Sequence, residues 1–172
     1  MVDPIERATA NPDLDGGARR LRQWLADHGH DTAEVVAFAA STHSVAEATD
    51  IVGAAHDAFV KSIVMVGPGD ALVVAVVPGD QRASTRRVAT AMGWQERPRL
   101  ATPDEMLSRT GYPAGGTPPL GFDATFLVDE RVAARADVWA GGGSPRALLH
   151  IRVETIVAAA VALGGRVARV RK

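Results

Sequence analysis

Two short apolar runs separated by a tight turn constrain the fold of this 172-residue chain more than any other feature. Residues 63–66 and 71–77 are rich in valine and alanine, and Gly67-Pro68-Gly69-Asp70 stands between them. Strand-like runs joined by a short glycine-containing segment predict a β-hairpin. A similar arrangement recurs at residues 137–140 and 146–151. Hairpins interleaved with helices predict an α+β fold with a mixed, largely antiparallel sheet or barrel-like core and surrounding helices.

Helix-start signals divide the rest of the chain. Ser44 with Glu47, and Thr102 with Glu105, have the spacing of a capping box, in which each side chain bonds to the other residue's backbone. Ser84 is a third candidate cap. Together with apolar periodicity, these signals predict helices at residues 14–29, 45–55, 85–92, 103–110 and 153–163, and further strands at 33–38, 124–128 and 166–170.

The composition excludes several classes of site. The chain has no cysteine, so disulfides, thiolate catalysis and cysteine–zinc sites are absent. The net charge of −1 argues against DNA as a partner, but RNA could still bind a local basic patch. The N-terminus lacks a leader pattern, and the apolar run at residues 71–77 is too short to span a membrane, so we expect a cytoplasmic protein. We expect one domain over residues 1–172, with residues 1–30 as an N-terminal arm and helix.

Lys61 is unusual in a chain whose other cations are almost all arginine. The only other lysine is Lys172, and Lys61 stands at the start of a strand-like apolar run. Lysine is a compact ammonium whose pKa shifts on burial, unlike the guanidinium of arginine. On residue type alone, the favoured interpretation is an edge-strand lysine that reduces aggregation or extends to water. A second segment changes that weighting.

Four glycines and three prolines occur in the eleven residues of segment 111–121. Proline fixes φ and glycine permits close backbone approach, so the segment is typical of a rigid, shaped loop. The bare N–H groups of Gly115 and Gly116 could bind a carbonyl oxygen, a phosphate or a developing oxyanion. The alternative is a purely structural turn. The segment is not a P-loop, because no Gly-Lys-Ser/Thr follows it.

A family resemblance rests on five blocks of sequence. They are Val60-Lys61-Ser62-Ile63-Val64-Met65, Val76-Val77-Pro78-Gly79-Asp80, the loop from Gly111 to Gly121, Val128-Asp129-Glu130, and Gly141-Gly142-Gly143-Ser144. Their order and spacing resemble the YbaK/ProX family of aminoacyl-tRNA deacylases, which is related to the editing domain of bacterial prolyl-tRNA synthetases. The likeness extends from about residue 38 to residue 170, and the five blocks together are specific where any one is not.

The resemblance implies hydrolysis of the ester that joins a wrong amino acid to the 3′ end of a tRNA, with no metal and no cofactor. Lys61 falls on the family's lysine, which would contact the terminal phosphate or ribose and help to position water. An aminoacyl ester is already activated, so oriented water and a stabilised oxyanion suffice without a protein nucleophile. The resemblance places Gly111, Gly115 and Gly116 at the substrate. The further substrate-binding candidates are Thr117, Gly142, Gly143 and Ser144 of the same blocks, and Thr42, which could face the pocket. The implied partners are an aminoacyl-tRNA and, as a second candidate, an aminoacyl-tRNA synthetase.

One departure from the family pattern bears on the substrate. Members that act on cysteinyl-tRNA place an acid in the strand after residues 141–143, where this chain has Leu148 and Leu149. The departure disfavours a cysteinyl substrate. Relatives in this family handle small amino acids such as alanine, serine or cysteine, so we expect a small residue, alanine first, on the tRNA.

Several polar residues outside the main blocks leave alternatives open. His28 and His30 suit a helix end, where an imidazolium complements the dipole, and a metal site is the minority interpretation. His43 could face the pocket, although a loop histidine bonded to water is the simpler interpretation. Asp129 and Glu130 form an acidic pair that we interpret as a strand end and a helix cap, because neighbouring strand residues point to opposite faces.

Three arginines along one predicted helix leave two interpretations open. Arg82, Arg86 and Arg87 either contact tRNA phosphates or form a solvated helix face. The leading function is therefore a free-standing, trans-editing deacylase. The alternatives are a non-catalytic module of the same fold that binds tRNA or a synthetase, and a small-molecule hydrolase or binding protein that uses the same pocket.

Overall fold

The computed structural model describes residues 13–172 of the chain. Its α-helices are α1 (Gly16–Asp27), α2 (Val45–Val52), α3 (Thr85–Met92), α4 (Pro103–Thr110), α5 (Glu130–Ala133) and α6 (Val153–Ala162). Its strands are β1 (Glu34–Ala37), β2 (Val60–Val66), β3 (Leu72–Pro78), β4 (Arg99–Leu100), β5 (Thr125–Val128), β6 (Asp137–Gly141), β7 (Ala147–Arg152) and β8 (Arg166–Val167). No helix in this described part of the chain is long and apolar enough to cross a membrane.

The strands form two sheets, of five strands in the order β4-β2-β3-β5-β8 and of three in the order β1-β7-β6. Four of the six strand pairs are antiparallel, and the two pairs made by β5 are parallel. The sheets meet just before β2, where Phe59 forms a bridge with Trp139 of β6. This architecture confirms the predicted α+β class with a mixed, largely antiparallel sheet.

The β2–β3 hairpin is the centre of the fold, as its sequence predicts. Its strands pair from Val60 opposite Pro78 to Val66 opposite Leu72. Side chains alternate between faces along a strand, so Val64 and Val74 join the main apolar core while Met65 and Val73 join a second cluster beneath α3. Burial on both faces explains why β3 is almost entirely apolar.

The local start and stop signals are confirmed at most positions. Ser44 with Glu47, and Thr102 with Glu105, form complete capping boxes, and Ser84 caps α3. Four predictions differ in detail. The second helix ends at Val52 instead of residue 55, so Ala55 is exposed. Arg82 lies before α3 and not on it. The last strand is two residues long instead of five, and the sequence did not predict β4. Residues 1–12 of the predicted N-terminal arm lie outside the described part of the chain.

Asp129 fixes the C-terminal segment to the centre of the larger sheet. It caps α5 as predicted, accepting a hydrogen bond from Arg131 N, and it also accepts from the backbone N–H groups of Val170 and Arg171. The Arg171 guanidinium lies 2.6 Å from the same fully buried carboxylate. Burial acts to raise the pKa of Asp129, but the hydrogen bonds together outweigh it and the pKa is lowered.

We expect Asp129→Asn to lower the free energy of unfolding at pH 7 by about 3 kcal/mol, because it leaves the Arg171 charge and a backbone donor inadequately paired. A lowered carboxyl pKa contributes stability above the ordinary value of 3.8 that is lost as the pH falls through the folded-state pKa. The deficit of the variant should therefore shrink below about pH 4 in urea titrations.

Glu130→Gln is the matched control for this prediction, because the neighbouring carboxylate is exposed and lies 3.9 Å from the same guanidinium. It should change the free energy of unfolding by less than about 0.5 kcal/mol. Equal losses in the two variants would contradict the structural role assigned to Asp129.

Candidate functional site

A cavity of about 220 Å³ opens where the start of β2 meets the smaller sheet. Its walls come from five parts of the chain: the segment before α2 and its first turns, the start of β2, α4, the glycine loop and the β6–β7 pair. The lining residues are Thr42, His43, Ser44, Val45, Ala48, Phe59, Val60, Lys61, Ser62, Ile63, Met106, Gly115, Thr117, Ala140, Gly141 and Leu148. The wall is largely apolar, with a few polar groups directed at one space.

Lys61 lines this cavity in the first half of β2, which pairs with β3 on one side and lies close to β6 of the smaller sheet. The short strand β4 pairs only with Met65 and Val66, and not with Lys61 or Ser62. Burial lowers the pKa of Lys61, and the positive charge of Arg82 lowers it further, while Asp80 acts in the opposite direction. A half-buried ammonium with no hydrogen bond or ion pair among the described residues remains able to bind an anionic or carbonyl group.

Gly115 is the part of the glycine loop that faces the cavity. Its φ is +80°, a left-handed conformation that favours glycine, and an added Cβ would collide with the ring of His43. Its backbone N–H makes no hydrogen bond to any residue between 13 and 172, so it can donate to a bound oxygen. His43 thus lines the cavity, and its side chain is also exposed to solvent, so bonding of the ring to water stays open.

The N–H of Gly116 is not available to a ligand, although the sequence predicts that the N–H groups of both Gly115 and Gly116 could bind one. Its N–H donates to Pro113 O at 3.1 Å, and its carbonyl accepts from Gly143 N at 2.8 Å. An added Cβ would lie 2.6–2.7 Å from the backbone of Ser144. Gly116 therefore joins the glycine loop 111–121 to a second glycine loop, residues 141–144. Gly115 remains as the backbone donor at the cavity.

The remaining predicted binding residues support the loops from outside the cavity lining. Gly111 ends α4 with φ +80°. Gly142 N donates to Ala147 O at 3.0 Å, and Ser144 Oγ accepts from Arg146 N at 3.1 Å. Gly143 contacts the backbone of Gly17 in α1. These four residues thus fix the shape of the site rather than line it.

Two threonines bring hydroxyl groups to the cavity wall. Thr42 Oγ1 donates to Pro145 O at 3.2 Å, and Thr117 Oγ1 donates to Pro113 O at 3.0 Å. Both side chains belong to residues that are nearly fully buried. Each hydroxyl uses its proton in the loop but keeps acceptor capacity for a ligand.

The family profile of the aminoacyl-tRNA editing domain matches residues 39–159, which include all of these walls. The chain belongs to this family. The match confirms the resemblance that the five sequence blocks indicate. Among residues 13–172, no group of three or more potential metal-ligating side chains lies together.

Individual relatives of this editing domain agree with the family assignment. A proline–tRNA ligase of Trichlorobacter lovleyi is 33% identical over 96 residues, which are 55% of this chain and 16% of the ligase. EbsC of Enterococcus faecalis, named as a candidate Cys-tRNA(Pro)/Cys-tRNA(Cys) deacylase, is 34% identical over 93 residues, which are 52% of this chain and 54% of EbsC. The chain thus spans about half, or less, of these two curated relatives.

A solved structure extends the likeness over nearly the whole chain. The crystal structure of a candidate trans-editing enzyme for prolyl tRNA synthetase has a TM-score of 0.82 and 33% sequence identity. The similarity covers 93% of this chain and 99% of that protein. The editing-domain fold is therefore shown for the described residues.

The N-terminal helix, which sequence reasoning left without a role, contacts both glycine loops. Arg20 donates to Gly111 O, and its guanidinium carbon lies 5.3 Å from the centre of the Tyr112 ring. The helix also places Trp24 against His28, with ring centroids 4.0 Å apart. The histidine pair at this helix end therefore packs on an aromatic side chain.

Sequence reasoning did not identify most of the cavity wall, and Ser62 and Met106 are two examples. The Ser62 hydroxyl is buried and has no hydrogen-bond partner among the described residues. Its position next to Lys61 gave no signal, because alternation along a strand predicts that the two side chains face apart. Both residues line the cavity at the part of β2 that β4 does not pair with.

We expect Gly116→Ala to destabilise the domain by about 1–3 kcal/mol, because the added methyl group meets rigid backbone at Ser144. Thermal unfolding measures the effect. Gly16→Ala is the control, since an added Cβ at this position in α1 has no neighbour within 4 Å. A variant Gly116→Ala as stable as wild type would show that the two loops can separate without cost.

Proposed function

We propose that this editing domain hydrolyses the ester of a mischarged aminoacyl-tRNA that carries a small amino acid, acting in trans. One observation supports this more than any other: a half-buried Lys61 and the unbonded N–H of Gly115 line the same small cavity. An ammonium and a backbone donor are the groups that an activated ester requires for phosphate or ribose binding and for oxyanion stabilisation.

The reaction needs water and no covalent intermediate. Water adds to the ester carbonyl carbon, the bond from that carbon to the ribose oxygen breaks, and the products are a free amino acid and a tRNA with its terminal hydroxyl restored. Gly115 N–H would donate to the developing oxyanion, while Lys61 would orient the terminal nucleotide. Orientation and oxyanion stabilisation together account for large rate effects.

Ser62 is a poor candidate for a nucleophile. A serine nucleophile is activated by a neighbouring base within hydrogen-bond reach, and Ser62 Oγ has no hydrogen-bond partner in residues 13–172. Its buried hydroxyl can instead bond to the substrate or to the attacking water. The aminoacyl ester supplies the electrophile, so the protein need not form a covalent bond.

The size and chemistry of the cavity favour a small amino acid. Its volume of about 220 Å³ is below the ~300–1,000 Å³ of ordinary small-molecule sites. Leu148 lines the wall at the strand where a cysteinyl-specific site would carry an acid, whereas Leu149 lies in the main core. Crowding by Leu148 would exclude branched or cyclic side chains and admit an alanyl group.

The second candidate is a non-catalytic module of the same fold that binds tRNA or a synthetase. The names of the synthetase relatives are compatible with that role. The half-buried lysine favours turnover instead, because burying an ammonium costs free energy that a pure binding surface need not spend.

We expect Lys61→Ala to reduce kcat/KM for alanyl-tRNA by about 100-fold or more, because misplacing the reacting groups by about 1 Å can cost that much. Lys61→Arg should not restore activity, since a planar fork does not replace a compact charge. Single-turnover deacylation measures both. Arg152→Ala, on the smaller sheet, is the control. Full activity of Lys61→Ala at unchanged thermal stability would contradict the role proposed for Lys61. Tight tRNA binding without turnover by the wild-type protein would favour the non-catalytic module.

We expect Leu148→Ala to relax selectivity, lowering the alanyl-over-leucyl preference in kcat/KM by about 10-fold or more, because each methylene excluded contributes roughly 10–200-fold. A series of alanyl-, seryl-, cysteinyl-, prolyl- and leucyl-tRNA provides the measurement. Leu107→Ala is the control, since Leu107 is exposed and outside the cavity. Wild-type preference for leucyl- or prolyl-tRNA would contradict the size argument.

A further inference from the structure

A second concave surface, distinct from the cavity, collects positive charge. Helix α3 and the segment 166–172 enclose a groove of about 810 Å³. Its lining residues are Ser84, Arg86, Arg87, Thr90, Ala91, Arg166, Ala168, Arg169 and Lys172, and none of them is acidic. Five cations around one groove contrast with a chain whose net charge is −1.

The cations of this basic groove are not neutralised within the protein. None of the five forms an ion pair with an acidic residue of the described chain, whereas Arg99, Arg109, Arg135, Arg152 and Arg171 each do. Most of the five side chains are exposed. Unpaired cations that repel one another lower stability, so their clustering points to an anionic ligand.

The walls of the groove are held together by backbone contacts. Ser84 N donates to Val170 O at 2.7 Å, and Lys172 N donates to Arg82 O at 2.8 Å. The buried Asp129–Arg171 pair fixes the same segment to the larger sheet. Cations on a fixed frame can match a regular array of phosphates.

The groove lies at a definite distance from the cavity. Sheet pairing places Ser62, Val76, Val128 and Val167 in one row across β2, β3, β5 and β8. Three strand spacings separate Ser62 from Val167, or about 14 Å. This equals roughly four nucleotides at the 3.4 Å rise of a duplex strand. Arg82 connects the two sites. Burial is the main cause of the lowered pKa of Lys61, and the charge of Arg82 is the second, while the Arg82 carbonyl accepts from Lys172 N at the groove.

We propose that the basic groove binds the phosphate backbone of the acceptor arm of the tRNA while its 3′ end occupies the cavity beside Lys61. The inference rests on the proposed function, since it names the part of the same substrate that lies outside the cavity. Arginine and lysine side chains and hydroxyl groups are the usual donors to phosphate oxygens, and they position a nucleic acid without reading its sequence. An acidic protein partner fits less well, because the groove has no large apolar or aromatic side chain to act as an interface anchor.

The test uses the double variant Arg86→Gln/Arg169→Gln in the full chain. We expect binding of an uncharged acceptor-stem minihelix to weaken roughly 10- to 100-fold at 0.1 M salt, and the slope of log K against log salt to fall by about 2. Turnover of alanyl-adenosine, which has no stem, should not change. Arg86→Lys/Arg169→Lys should retain the binding, since an ammonium also binds phosphate.

Arg22→Gln/Arg152→Gln makes the same charge change outside the groove and should leave the salt slope as in wild type. Minihelix affinity unchanged in the groove variant would overturn the inference while deacylation by wild type still stood. An acidic protein bound at the groove in place of RNA would also overturn it. Failure of wild type to deacylate any aminoacyl-tRNA, with weakened minihelix binding in the groove variant, would support the groove and reject the enzymatic function.

Discussion

The close contact between two glycine loops is the constraint on which the candidate site depends. Gly116 lies against the backbone of Ser144, Gly141 lies against the backbone of Thr117, and Gly143 lies against that of Gly17. An added Cβ at these positions would lie 2.4–2.6 Å from the nearest backbone atom, so the loops would have to move apart. The absence of Cβ atoms thus acts mainly on packing. Of the two glycines that line the cavity, Gly115 and Gly141, Gly115 has a backbone N–H without a hydrogen-bond partner among the described residues. Most of these glycines therefore allow the close packing of the wall, whereas Gly115 leaves a free backbone donor at the cavity.

A second constraint is the buried carboxylate of Asp129, which links the sheet to the basic groove. Its hydrogen bonds fix Val170 and Arg171, and the backbone around them forms one wall of the groove. An ionised group without solvent is stable only when such partners are complete. Asp129 therefore stabilises the larger sheet. By fixing the backbone at Val170 and Arg171, it also positions the neighbouring groove residues Arg169 and Lys172.

The sequence predicted the parts of the fold whose causes are local. The capping boxes at Ser44 and Thr102 and the turn after Val66 depend on residues within a few positions, and each is found in the structure. The cavity was predicted only through family resemblance, and the roles of its glycines could not be separated because those roles depend on which loop approaches which. The placement of Ser62 and the groove could not be predicted for the same reason. Ser62 lies where β4 does not pair with β2, and the groove forms where α3 lies beside segment 166–172, and both depend on contacts between parts of the chain that are distant in sequence.

The arrangement of the two sites has a consequence for selectivity. A cavity of about 220 Å³ encloses little more than an aminoacyl group, and apolar contacts to so small a group supply little binding free energy. Binding a large substrate through phosphates that are common to all tRNAs adds affinity without adding selectivity for the amino acid. The apolar wall at Leu148 can then discriminate by exclusion alone, because it does not also have to supply the affinity. In the proposed function, this separation of affinity from discrimination accounts for a largely apolar cavity and a groove whose charged side chains are all basic in one small domain.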